Sequence, residues 1–180
     1  MTDTPHAFVE HSRELITASY LPRIELCLAR LSDHNIWWRP NAESNSIGNL
    51  ILHLSGNVRQ WLVSGVGGAP DTREREMEFR EHGPVPRAEL LSRLRSAVGD
   101  ADLALQSVDV TRLGERRTIQ GCDVIILEAI YHAVEHFSMH TGQIITLTKM
   151  WAGDIGLYTV TNGIAEPTWD QTGIEARPHE

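Results

Sequence analysis

Four long stretches of the chain carry apolar residues at helical spacing, and no convincing alternating strand pattern stands between them. The first is predicted from about Ala7 to Leu31, with a kink or restart at Pro22. Beyond the proline, Ile24, Cys27, Leu28 and Leu31 mark its apolar stripe. A polar loop, Ser32 to Asn45, contains Trp37-Trp38-Arg39-Pro40. Ser46 is suited to cap the second helix, Ile47 to about Ser64, which the glycines at 65, 67 and 68 end. Asp71 to Glu81 is a dense mixed-charge stretch and reads as a solvated loop. The third helix, from near Pro86 to about Ser107, mixes charges with leucines as an outer amphipathic helix does. The fourth runs from about Asp123 to Trp151. Gly153 to Glu180 reads as irregular, with Tyr158 and Trp169 as its anchors to the body. The pattern predicts an all-α fold, a four-helix bundle over residues 1–152, with a C-terminal tail, 153–180, packed on or near it.

Two of these helices are polar on one face without being charged. In the second, Ser46, Asn49, His53, Gly56, Asn57, Gln60 and Ser64 share a face, and the one charged residue, Arg59, lies off it. A wet face normally carries Lys and Glu. Small neutral groups suit an inward-facing polar site, so His53 is expected inside. In the fourth helix, Ile125, Ala129, His132, His136, Met139, His140, Gln143 and Leu147 lie along a narrow stripe. Between Val124 and Met150 the only charges are Glu128, Glu135 and Lys149, which predicts a mostly buried helix.

Composition narrows the function classes. The 180 residues, 41% apolar and 22% charged, fit one domain with a real core. The net charge of −8 argues against a nucleic-acid partner. No apolar run is long enough to span a membrane, and the opening Met-Thr-Asp-Thr-Pro-His has no secretory pattern. Cys27 and Cys122 lie far apart in apolar surroundings and form no C-x-x-C pair. They are expected to pack rather than react, in a reduced, cytoplasmic chain.

His132, His136 and His140 repeat one turn apart on one face, where two imidazoles can converge on an ion. A buried histidine cluster without a metal would have to stay neutral and fully hydrogen-bonded. Metal binding is therefore the expected role, and the spacing leaves two registers open. His132-Ala-Val-Glu135-His136 matches H-x-x-E-H, the inverted-zincin pattern, with Glu135 as general base. The other register pairs His136 with His140 and takes His53 as third ligand.

Ser46-Ile-Gly-Asn-Leu-Ile-Leu-His53-Leu-Ser-Gly-Asn57 and His132-Ala-Val-Glu-His136-Phe-Ser-Met-His140-Thr-Gly142-Gln143-Ile resemble the DinB-like superfamily of bacterial four-helix bundles. Trp37-Trp38-Arg39-Pro40 and Gly65-Val-Gly-Gly68 fit the same resemblance, which extends from the first helix to about Trp151 and points to an uncharacterised-domain branch. It implies a DinB-like fold and a three-histidine metal site at His53, His136 and His140, with His132 lining the cavity or standing behind the ligands. It further implies zinc or nickel as the divalent ion, and a homodimer. Superfamily members of known activity use the metal to activate a low-molecular-weight thiol in transferase or isomerase chemistry.

Three imidazoles leave an open position, the arrangement of a catalytic site, where water or a substrate thiol would bind. Asn57 and Gln143 are candidates to orient a ligand or buttress an imidazole, and Glu135 and Glu128 are candidate bases. The leading expectation is a metal-dependent enzyme on a small-molecule substrate, a thiol-dependent transferase or a hydrolase. The competing readings are a non-catalytic metal-binding or stress-response bundle, and an inverted-zincin-like peptidase using His132, Glu135 and His136.

Overall fold

The computed structural model describes residues 3–169, and these are mostly helical. Asp3 starts α1 (Thr4–Glu14) by accepting the His6 N–H at 3.1 Å. A π-helical turn, Leu15–Tyr20, follows, and its widened spacing lets the Leu21 N–H reach the Ile16 carbonyl, five residues back. Pro22 then sits in the first turn of α2 (Leu21–Ala29), where its missing N–H costs least. The expected interruption is thus a π turn with helical backbone on either side. Ser32 caps a short α3 (Asp33–Trp37) within the stretch that reads as loop.

Ser46 caps α4 (Ile47–Val58) in a reciprocal box with Asn49, and a second π-helical segment, Arg59–Val66, carries it to Gly67. Then come α5 (Arg75–Arg80) and α6 (Arg87–Gln106), with Pro86 at the cap position of α6. A 3₁₀ turn, Val110–Arg112, leads to β1 (Arg116–Ile119) and β2 (Cys122–Ile125). These pair antiparallel, Arg116 opposite Ile125, around Gln120 and Gly121 at φ 53° and 77°. The last helix, α7 (Ile126–Ala152), opens where the Glu128 carboxylate accepts the Ile125 N–H at 2.9 Å. It ends at Gly153, φ 66°. A second hairpin, β3 (Tyr158–Thr161) and β4 (Ile164–Pro167), turns through Asn162 and Gly163.

Helix α4 packs on α6 and α7, while α1 and α2 lie against both α6 and α7. Ile24, Leu28, Ile51, Leu54, Leu94, Ile130, Phe137 and Ile144 are sealed in the core between them. Tyr20 stacks on Phe137 at 5.9 Å. No described helix is long and apolar enough to cross a membrane.

Four expectations need correction. Two hairpins, β1–β2 and β3–β4, stand in a chain whose pattern predicts no strand. The fourth helix is not mostly buried: its core face is Ile126, Ala129, Ile130, Ala133, Phe137, His140 and Ile144, and Leu127, Tyr131, Glu135 and Met139 lie exposed. The histidine stripe therefore runs along the rim of the core, one helical position from its centre. Asp71 to Glu81 is not a free loop, because Glu78 within it is buried against α4. Finally, Cys122 is exposed on β2. Cys27 is buried, and burial pushes its thiol up to about 11, which fits a packing role.

Trp169 lies over the Arg23 guanidinium at 4.0 Å and so meets α2, whereas Tyr158 is half exposed and meets Trp169 edge-on at 5.1 Å within the tail itself. Its remainder, 170–180, lies outside the described residues.

Candidate metal centre

Helices α4 and α7 bring three histidines to one point. His53 lies on α4, and His136 and His140 lie one turn apart on α7. One nitrogen from each falls within 4.8 Å of the others. The His136 and His53 Nε2 atoms are 2.9 Å apart. Among the described residues this is the group of histidines, cysteines and carboxylates that could hold an ion. His53 and His140 are 5% and 8% exposed, whereas His136 is half-buried toward the rim.

The outer nitrogens are already engaged. His53 Nδ1 is 2.8 Å from Glu78 Oε2, and His140 Nδ1 is 2.7 Å from Gln143 Oε1. A carboxylate and an amide oxygen accept, which favours the proton on Nδ1 of each ring and a bare Nε2, although at His53 the Arg73 Nη2 also stands 3.1 Å from Nδ1. The His140 Nε2 is buried without any hydrogen-bond partner. A bare, desolvated imidazole nitrogen beside two others is what a divalent ion requires, and oxygen acceptors behind the rings fix them for it. The residues fit the expected metal.

Protons are disfavoured at this cluster. Burial, reinforced by the neighbouring His140, His53 and His132, depresses His136 to about 3. His140 is lowered by burial and by His53, against its hydrogen bond to Gln143, which raises it. His132 is lowered chiefly by burial. Neutral imidazole is the ligating form, so these shifts favour metal over proton.

Glu78 is the member that sequence reasoning missed. Burial raises its carboxyl, but hydrogen bonds from Arg73 and His53 outweigh this and hold it below the ordinary carboxylate range. Arg73 grips it with Nε at 2.7 Å and Nη2 at 2.9 Å, and its own Nη1 donates to Gln60 Oε1 at 2.8 Å. Phe79, next in the chain, packs on the His53 ring at 4.8 Å. The available signal was Met77 and Phe79 flanking Glu78 in a charge run, and Gly56 on α4: a Cβ there would collide with the Glu78 carboxylate.

The other candidates sit further out. His132 stacks on His136 at 5.5 Å and on Trp61 at 4.1 Å, with its ring outside the convergent group. The Asn57 Oδ1 is buried without a partner, one turn beyond His53. Glu135 is exposed, and Glu128 is exposed and spent on the α7 cap. No curated protein matches the chain. Residues 3–161, all three histidines included, match the family described as "Protein of unknown function (DUF1572)", and the chain belongs to that family.

Proposed function

We propose that the protein is a divalent-metal-dependent enzyme built as a DinB-like four-helix bundle, with His53, His136 and His140 as ligands. The observation that carries this reading is the buried, partnerless His140 Nε2 facing two further imidazole nitrogens. Its convergence with His53 and His136 favours this register over the peptidase register through His132 and Glu135.

Zinc or nickel suits three imidazoles. Such an ion supplies Lewis acidity, lowering the pKa of water or of a thiol at an open position. The chain's own residues supply orientation and exclusion. Glu78 and Gln143 hold two rings, Phe79 shields one face of His53, and Trp61 with His132 closes the next layer. A cleft of about 660 Å³, lined by Leu50, Met139, Gln143 and Leu147 among others, adjoins Gln143 and has room for a small molecule. The reaction class in view is thiol-dependent transfer or hydrolysis of a small substrate. The charge of −8 supports such a substrate over nucleic acid, and the exposed Leu127, Tyr131, Met139 and Met150 on α7 support a homodimer.

One observation favours the second reading, a non-catalytic metal-binding bundle in the cytoplasm. The carboxylate at the centre, Glu78, is locked by Arg73 and His53 and is not free to act as a base. Turnover separates the two. Zinc- and nickel-loaded protein is screened against thiol-conjugating and ester substrates, beside His53→Ala. Metal-dependent turnover lost in the variant supports the enzyme; a loaded protein inert throughout supports the binding module.

A further inference from the structure

Two groups of opposite chemistry stand at the same nitrogen of His53. Glu78 Oε2 is 2.8 Å from Nδ1, and Arg73 Nη2 is 3.1 Å from it. A neutral imidazole has one N–H and one bare nitrogen. A carboxylate can only accept a hydrogen bond and a guanidinium can only donate one, so the two neighbours call for opposite tautomers. With the proton on Nδ1, His53 donates to Glu78, and its Nε2 is bare and free to hold an ion. With Nδ1 bare, it accepts from Arg73, and the proton on Nε2 blocks the ligating position.

Glu78 prevails in this arrangement. Its oxygen is nearer, and Arg73 is already committed. Two of the Arg73 nitrogens chelate the Glu78 carboxylate, and the third binds Gln60. The pair is also dry, with side chains 3% and 10% exposed, so water does not substitute for either partner. The 2.9 Å contact between the His136 and His53 Nε2 atoms then has a direction: His136 donates and His53 accepts.

We propose that the Glu78–Arg73 pair selects the tautomer of His53, Glu78 acting as the positioning residue that keeps Nε2 bare and Arg73 imposing the non-ligating tautomer whenever Glu78 is absent. The inference rests on the metal-site reading above. A merely structural ion pair also recovers when both partners are lost, because losing Glu78 alone strands a buried charge, so the tautomer of His53 is the readout that separates the two roles. In a tautomer selector, removing Glu78 alone leaves Arg73 to force the wrong tautomer, and removing both frees the ring.

The test combines imidazole ¹⁵N NMR of the metal-free protein with zinc affinity, read by competition against a chromophoric chelator. In the wild type, His53 is expected as the Nδ1–H tautomer and His136 as Nε2–H. In Glu78→Met, His53 is expected to switch to Nε2–H, with zinc affinity down about 10- to 100-fold. In Glu78→Met/Arg73→Met, affinity is expected to recover by about tenfold or more over the single variant, since an apolar pair of similar volume can replace a buried ion pair. A wild-type His53 found as Nε2–H overturns the proposal without recourse to any variant, even if Glu78→Met does not fold. A double variant binding no better than Glu78→Met also overturns it. Wild-type protein that takes up no zinc defeats the metal reading instead, and the NMR result then stands on its own as a test of the tautomer.

Discussion

The Asn49 side-chain amide donates to the backbone carbonyls of Glu78 and Glu81 at once, at 2.9 Å and 2.8 Å. Its oxygen meanwhile accepts from the Ser46 hydroxyl at 2.6 Å and from Arg39 at 2.8 Å. One fully buried residue therefore joins the cap of the histidine-bearing helix α4 to the segment that delivers Glu78. Asn49→Ala removes these bonds and leaves buried acceptors unpaired. A loss of about 1–3 kcal/mol in urea unfolding is expected, together with weaker zinc binding as Glu78 shifts. Unchanged stability would show that the segment is held by something else.

Trp37 is gripped between two glycines. A Cβ at Gly48 would stand 2.8 Å from its ring, and one at Gly83 would stand 2.7 Å from it. Gly48→Ala sets two effects against each other. Gly48 lies in the first turn of α4, where Ala gains less than its advantage of about 1 kcal/mol over Gly in a helix interior, whereas overpacking costs about 1–3 kcal/mol. The ring is also held by its Nε1–H, which donates to the Val85 carbonyl at 3.0 Å, so it cannot swing aside cheaply. Net destabilisation in chemical denaturation is the expected result; a stabilised variant would show that Trp37 yields freely.

The three histidines were legible because a helix fixes where i and i+4 point, and because charge is absent from the faces that carry them. The capping box at Ser46 was half legible: the serine was read as the cap, but the reach of Asn49 across to residues 78 and 81 is tertiary and leaves no local trace. Glu78 and Arg73 were hidden in Asp71–Glu81, where alternating charge on a short segment looks the same whether it is solvated or docked. On α7 the polar-apolar stripe is centred one position away from the core face, so it takes in Met139 and Gln143, which are exposed. The hairpins differ from each other. Asn162-Gly163 between Tyr158-Thr-Val-Thr161 and Ile164 is a direct turn signal. Gln120-Gly121 is a weaker one, flanked by two arginines that mask the β-branched Thr118, Ile119, Val124 and Ile125.

Acid should weaken the metal-free fold before carboxylates titrate. The folded protein holds His136 at about 3, with His132 and His140 also lowered, against the ordinary histidine value of 6.5. Between those limits the unfolded chain binds more protons than the folded one, so stability is complete above about 6.5 and falls as pH drops. The urea midpoint of metal-free protein is expected to be lower at pH 5 than at pH 7.5, with a smaller difference in His136→Gln. A midpoint that is flat or rises on acidification would contradict the shifts.

The exposed α7 face should behave as an interface. Tyr131 is 60% exposed and Met139 is 53% exposed, with the exposed Glu135 between them, one turn from each. Sedimentation equilibrium is expected to give a dimer for the wild type and a monomer for Tyr131→Glu, with helical content unchanged. A wild-type monomer at tens of micromolar would remove the dimer from the account.

Metal analysis of untagged protein, purified without chelator, tests the central claim most directly. The account predicts one equivalent of zinc or nickel per chain in the wild type, lost in His136→Ala and retained in His132→Ala. Wild-type protein that holds no metal and takes up none on titration, or a His132→Ala variant that loses it as fully as His136→Ala, would contradict the His53–His136–His140 site.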